Sequence, residues 1–173
     1  MNAHLKKIPA SVLDVAVKPS TFHARFSALE RSYRYRIVNR RAPLTMDVGL
    51  AWWVPARLDP AAMADAAAVL VGTHDFTSFR ASECQAKSPV KTLDELKVEA
   101  MGTEIHVSAR ARSFLHHQVR NIVGSLAWIG DGKWTSAQLR DALAAKDRRA
   151  GGPTAPADGL YLTEVRYSET TEA

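Results

Sequence analysis

The sequence contains one cysteine, Cys84, in 173 residues. A single thiol cannot form an intramolecular disulfide and is typical of a reducing compartment, so we expect a cytoplasmic protein. No apolar run approaches the roughly 20 residues of a membrane-spanning helix, and the first residues lack the apolar stretch of a signal peptide. The sequence therefore argues against a disulfide-stabilised secreted protein and against a membrane partner.

Motifs of metal and nucleotide chemistry are also missing. There is no CxxC pair, no HExxH, no GxxxxGK[ST] loop and no serine in a nucleophile elbow. His116 and His117 are adjacent, and neighbouring residues of a helix diverge by about 100°, so this pair is poorly placed to share one ion. We therefore expect no metal site.

Acidic residues are scarce in two stretches of a chain whose formal net charge is +5. Residues 18–41 include seven basic residues and one acidic residue, Glu30, and residues 105–130 include no acidic residue. A basic chain favours polyanionic partners, and clustered basic residues are typical of nucleic-acid binding.

Hydrophobic periodicity predicts an α/β (α+β) domain, in which an antiparallel sheet has helices packed on one face. The predicted strands are 11–17, 31–38, 50–54, 93–100, 104–112 and 160–165. The predicted helices are 59–72, 114–128 and 136–148, and 73–80 is predicted to be a tight turn. We expect one domain over residues 1–167, followed by a frayed tail at 168–173.

Two predicted strands carry basic side chains on the face that points away from the core. Alternation places Tyr33 on the core side of its strand and Arg34 on the other side, and places Arg110 and Arg112 outward from theirs. A sheet with a basic outer face suits a phosphate backbone.

The segment around Phe79 mixes aromatic and basic residues, as contacts with single-stranded RNA do. Packing of these aromatic rings into the core is the alternative. The residues that we expect to contact RNA are Arg25, Arg31, Arg34, Phe79, Arg80, Arg110, Arg112, His116 and His117.

Tyr33 and Arg120 are the strongest candidates for a chemical role. Arg120 lies among apolar residues of a predicted helix, and a buried guanidinium needs an anion. No acidic residue lies within the ten residues before it, so the anion must come from elsewhere. The alternatives are a structural ion pair or an exposed position for Arg120, and a half-buried strand aromatic for Tyr33.

Four separated motifs carry a family resemblance. The chain is similar, from about Asn2 to Tyr167, to the C-terminal part of the tRNA pseudouridine synthase A family. The motifs, in the family's order and spacing, are FHARFSALERSYRYRI, VGTHDFTSFRAS, ARSFLHHQVRNIVGSL and APADGLYLTEVRY.

The resemblance implies an isomerase that converts uridine into pseudouridine in the anticodon stem-loop of tRNA, without a cofactor or metal. It implies that Tyr33 stacks on the flipped base and is a candidate for its general base. It also implies that Arg120 pairs with a catalytic aspartate and that Leu160 packs against the target base. The family acts as a homodimer in which one tRNA contacts both subunits.

The chain departs from the family pattern at three points. Ser32 stands where the family usually has Lys or Arg, and Gln118 stands where Met is usual. The family's catalytic aspartate lies in an R-T-D-A-G-V-H segment, and no aspartate here lies in such a segment.

We therefore expect the C-terminal portion of a synthase, inactive by itself. The alternative is a non-catalytic RNA-binding or dimerisation module on the same scaffold. The presence together of Tyr33, Arg120 and Leu160 argues against that alternative.

Overall fold

A long strand, β1 (Ala28–Asn39), in which Tyr35 and Ile37 are fully buried, pairs with three other strands at the centre of the sheet. On one edge β1 pairs antiparallel with β5 (Glu104–Ala111). On its other edge, β6 (Leu160–Tyr167) pairs antiparallel with the first part of β1, and β2 (Trp52–Val54) pairs parallel with its last residues. The computed structural model describes residues 2–168, so the predicted tail lies outside the described residues except for Ser168.

The predicted hairpin between residues 93 and 112 is confirmed. β4 (Val90–Met101) and β5 pair antiparallel through a turn in which Gly102 has φ +62°, a conformation that favours glycine. β3 (Gly72–Asp75) then pairs with the outer edge of β4.

Three α-helices pack on one face of the sheet, as predicted: α1 (Pro60–Ala67), α2 (Gln118–Gly130) and α3 (Ser136–Ala145). Asp59 begins α1 by accepting hydrogen bonds from two backbone N–H groups, and Thr135 begins α3 with a capping box. Side chains of β5 and α2, such as Val107 and Ile122, are fully buried in the core between these layers.

The opposite face of the sheet is mixed in charge rather than basic. Glu104 accepts hydrogen bonds from Arg36 at 3.1 and 2.8 Å, and these bonds, together with the hydrogen bond to His106, lower the pKa of Glu104 to about 2. Arg110 donates to Glu30 at 2.7 Å on the same face, where Arg34 is exposed. Acidic residues from neighbouring strands therefore neutralise part of the basic surface that alternation within single strands predicted.

The predicted strand at 11–17 is wrong. Within residues 2–168 this segment pairs with no strand, and Leu13 and Val17 are 95% and 99% exposed. Alternation marks side chains that suit a strand, but a strand also needs an edge to pair with.

The helix predicted to begin at residue 114 begins at Gln118 instead. His117 has φ +60°, a left-handed conformation that ends the irregular segment 113–117. The Gln118 side chain accepts a hydrogen bond from the Leu115 N–H at 2.8 Å and fixes that segment against the helix. His116 and Arg120 therefore do not share a helix face.

Other boundaries moved by smaller amounts. The strand predicted at 50–54 is shortened to β2, and the turn predicted at 73–80 contains β3 and a 3-10 turn at Thr77–Phe79. α1 continues as a 3-10 turn before Gly72, and α3 ends at Ala145.

Candidate functional site

An open cleft of about 1080 Å³ lies on the helix side of the sheet, where β1 begins and β5 ends. Its walls come from β1, the residues just before it, Lys91 of β4, residues 83–86, residues 112–117, the first turn of α2 and the start of β6. The three residues expected to carry catalysis, Tyr33, Arg120 and Leu160, all line this cleft. The fold thus brings together side chains from the beginning, middle and end of the chain.

Arg120 is half-buried and held from one side. Its Nε donates to the Ala155 carbonyl at 2.7 Å, and its Nη1 lies 3.2 Å from Nε2 of His117. Within residues 2–168 it forms no salt bridge, so the anion expected for Arg120 stays a prediction. The guanidinium is therefore oriented by neutral partners, with its charge available to the cleft.

Tyr33 is half-buried, and its ring packs edge-to-face against Phe114 with the centroids 5.1 Å apart. The pairing of β1 with β6 is irregular beside it, because Tyr33 faces Leu162 while Ser32 faces Glu164. The residue left over, Thr163, donates to the Ser32 carbonyl. Bulges of this kind redirect side chains next to functional sites.

His117 links the entry of α2 to Arg120. Burial lowers the pKa of His117, and the nearby His116 and Arg120 lower it further, against an opposing effect of Glu83. The neutral ring keeps a lone pair on Nε2, which can accept a hydrogen bond from Arg120.

The depressed pKa of His117 predicts a pH dependence of folding. The neutral ring is favoured in the folded state, so its contribution to stability is complete above the unfolded pKa, about 6.5. That contribution is lost as the pH falls through the lower pKa of the folded protein. We expect His117→Asn, which tolerates φ +60°, to flatten the decline of the unfolding free energy below pH 6.5.

Denaturant titrations at several pH values measure this effect. His4→Asn is the matched control, because His4 is exposed, and it should keep the wild-type slope. An equal slope in the wild type and in His117→Asn would contradict the assignment.

Five of the residues expected to contact RNA line the cleft: Arg25, Arg31, Arg112, His116 and His117. Arg31 also has a structural role. Its guanidinium donates to the carbonyls of Ala28 at 3.0 Å and Arg112 at 2.6 Å, and to that of Arg25. These bonds tie the segment before β1 to the end of β5.

The other four residues expected to contact RNA lie elsewhere. Phe79 has no exposed surface and packs in the core against Phe76, so in this structure it cannot stack on a base. Arg80 follows it, half-buried, while Arg34 and Arg110 lie on the far side of the sheet. RNA contact by these three arginines stays a prediction.

Phe26 is a residue that sequence reasoning missed. It is 74% exposed at the rim of the cleft, and the Arg25 guanidinium lies 5.6 Å from its ring centroid. The signal was present in the sequence, because Phe26 follows Arg25 as Phe79 precedes Arg80. Burial separates the two cases, and burial is set by the tertiary fold.

Two further findings concern the part of the chain that the structure describes. Over residues 2–168, no three His, Cys, Asp or Glu side chains are grouped so that they could hold a metal ion. No helix in the same range is both long and apolar enough to cross a bilayer.

The chain is similar to known proteins along its whole length. A family described as tRNA pseudouridine synthase matches residues 66–168. The tRNA pseudouridine synthase A of Rhodospirillum rubrum is 63% identical over 173 residues, which are 100% of this chain and 62% of that protein. The enzymes of the same name from Paramagnetospirillum magneticum and Parvibaculum lavamentivorans are each 58% identical, over 97% and 96% of this chain and 66% and 68% of their own lengths.

The chain thus spans about two thirds of the length of these curated relatives. The matched segment includes Arg120, Leu160 and the strands around them, and the identities are well above the level at which a shared fold is in question. The chain belongs to the tRNA pseudouridine synthase family.

Proposed function

We propose that this chain is the C-terminal domain of a tRNA pseudouridine synthase, with residues 1–167 as the domain, and that it binds tRNA. The observation that carries the proposal is the cleft, in which Tyr33, Arg120 and Leu160 lie together behind a rim with basic and aromatic side chains. In such an enzyme the uracil N-glycosidic bond is broken and the base is rejoined to the ribose through carbon.

The cleft suits a base that has been taken out of its stack. Extrusion of a base costs a few kcal/mol, and stacking on an aromatic ring offsets such a cost. The Tyr33 ring and the Leu160 side chain offer apolar surface to the base, and the Tyr33 hydroxyl is the candidate general base. Arg25 and Arg112 at the rim suit the adjoining phosphates.

Arg120 supports the reaction through its charge. A carboxylate placed beside a guanidinium stays ionised at neutral pH, as a nucleophile must. The Nη groups of Arg120 are on the cleft side of the Ala155 bond and can receive such a carboxylate.

We propose that this carboxylate comes from outside the chain, because no aspartate here lies in the family's R-T-D-A-G segment. The chain alone is then inactive. The assembled enzyme works in the cytoplasm as a homodimer that needs no metal or cofactor.

Pseudouridine formation in unmodified tRNA tests this proposal. One reaction contains this chain alone, and a second contains a chimera in which the N-terminal portion of the Rhodospirillum rubrum relative precedes it. We expect no product from the chain and steady product from the chimera. The N-terminal portion alone is the control and should give none.

Two outcomes would change the interpretation. Product from the chain alone would show that one of its own aspartates is the nucleophile. A folded chimera that binds tRNA without forming product would favour the non-catalytic RNA-binding module.

A further inference from the structure

We infer that the segment 151–155, here called the strap, positions Arg120 in the cleft, and that Arg148 and Gly124 are positioning residues for that arginine. The inference rests on the proposed function, since Arg120 is the residue whose orientation matters there. Within the described residues 2–168, none of the strap residues lines the cleft, whereas Arg120 does.

The strap lies in direct backbone contact with α2. A Cβ added at Gly124 would be 1.9 Å from the Pro153 carbonyl oxygen, and one added at Gly152 would be 2.5 Å from Oγ of Ser125. The strap can therefore approach the backbone of α2 this closely only because residue 124 is a glycine, which has no side chain.

Ala155 holds Arg120 at two points. Its N–H donates to the Arg120 carbonyl at 3.1 Å, and its own carbonyl accepts from Nε of Arg120 at 2.7 Å. The first bond fixes the strap to the helix backbone, and the second fixes the guanidinium. The plane of the guanidinium is thereby set by a backbone atom, which leaves Nη1 and Nη2 for His117 and for the cleft.

Arg148 anchors the strap at its other end. Its Nη1 donates to the Gly152 carbonyl at 2.9 Å, and its Nη2 reaches Oγ1 of Thr154 at 3.2 Å and Oδ1 of Asn121 at 3.3 Å. One planar guanidinium thus joins two strap residues to α2, a geometry that a lysine ammonium cannot reproduce.

Buried polar groups of α2 complete the anchor. Asn121 is 1% exposed and accepts from the Thr154 hydroxyl at 2.6 Å, and Ser125 accepts from the Gly152 N–H at 3.2 Å. Both side chains lie on the same face of α2 as Arg120 and Gly124. Asn121 also donates to the Phe79 carbonyl at 2.8 Å. The contacts that join the strap to Arg120, which lines the cleft, are those of Ala155.

Arg148→Met tests the inference, because it keeps much of the side-chain length and removes every donor. Arg149→Met is the matched control, since Arg149 is the adjacent residue, its side chain is 91% exposed and its ion pair within residues 2–168 is with Asp147. The first measurement, made on this chain, is hydrogen exchange of the Arg120 Nε–H by NMR. We expect exchange to be faster by on the order of tenfold in Arg148→Met and unchanged in Arg149→Met.

The second measurement is the kinetics of the chimera. We expect Arg148→Met to lower kcat by roughly tenfold to a hundredfold, with KM little changed, because a misplaced catalytic partner affects the transition state most. Arg148→Lys should recover only part of the loss. Should Arg148→Met fail to fold, Thr154→Val removes one exposed anchor and should move both readouts in the same direction.

The two readouts separate this inference from the proposed function. If the exchange rate of the Arg120 Nε–H is unchanged in both Arg148→Met and Thr154→Val, the strap does not position Arg120, even when the chimera is active. Faster exchange in Arg148→Met of this chain, together with an inactive wild-type chimera, would support the positioning role of the strap and count against the proposed function.

Discussion

Pseudouridine formation by the chimera is expected to fall by on the order of a thousandfold when Arg120 is replaced with lysine. A lysine keeps the positive charge but places its donors on one nitrogen. It therefore cannot reproduce the planar guanidinium, in which Nε binds the Ala155 carbonyl while separate Nη donors remain for a carboxylate. Most of the loss should appear in kcat, because substrate binding also depends on other residues of the cleft. Single-turnover assays on unmodified tRNA measure the effect.

Arg140→Lys is the matched control for this experiment. Arg140 is exposed on α3, and its replacement should leave kcat and KM unchanged. Thermal unfolding of both variants shows whether a loss of activity is a loss of folded protein. Loss of one transition-state donor lowers activity by about a hundredfold or more. If Arg120→Lys lowers activity by less than about tenfold, the supporting role of Arg120 is wrong.

Phe79→Ala is expected to lower the free energy of unfolding by about 3–5 kcal/mol, the range for removal of a buried phenylalanine. Phe79 is fully buried beside Phe76, and the core around it includes residues of the sheet and of all three helices. The tRNA affinity of the protein that remains folded should be unchanged, because the ring does not reach the surface. Denaturant titration and filter binding measure the two quantities.

Phe26→Ala should give the opposite result. Phe26 is exposed at the rim of the cleft, so its loss should barely change stability. Loss of a stacking ring weakens binding by about 1–3 kcal/mol per base, which is roughly a fivefold to hundredfold loss of affinity. Lower tRNA affinity in Phe79→Ala at unchanged stability would show that Phe79 leaves the core to contact RNA.

The centre of the sheet was predictable from side-chain alternation. Tyr35 and Ile37 in β1, and Ile105 and Val107 in β5, alternate with polar residues and are buried as predicted. The same residues fix the helix-facing side of the sheet. The glycine turn at Gly102 likewise made the pairing of β5 with β4 predictable.

Pairing and backbone conformation were less predictable. The segment 72–75 is polar and short, and it becomes β3 only because the edge of β4 is free beside it. Residues 114–117 fit a helical pattern, but the left-handed conformation of His117 delays the helix to Gln118. Both features depend on the tertiary fold, which the local sequence of each segment does not reveal.

The site was predictable in its residues but not in its geometry. The motifs that include Tyr33, Arg120 and Leu160 singled out the three residues, and the fold places all three in the cleft. The shortest hydrogen bond of the Arg120 side chain goes to the Ala155 carbonyl, at 2.7 Å. Every residue has a carbonyl, so a sequence cannot signal which one will act.

Thr163 bonds to Ser32 across 131 residues of chain, and β6 closes the outer edge of β1 beside Tyr33. Contacts this distant in sequence form late, because closing a long loop loses entropy before any contact stabilises it. During synthesis at about 5–20 residues per second, β1 leaves the ribosome many seconds before its β6 partner exists. A nascent chain, or one cleaved before residue 160, therefore has an open strand edge where the cleft should be. Such an edge can pair with a strand of another molecule, so incomplete chains are expected to aggregate rather than to compete with finished ones for tRNA.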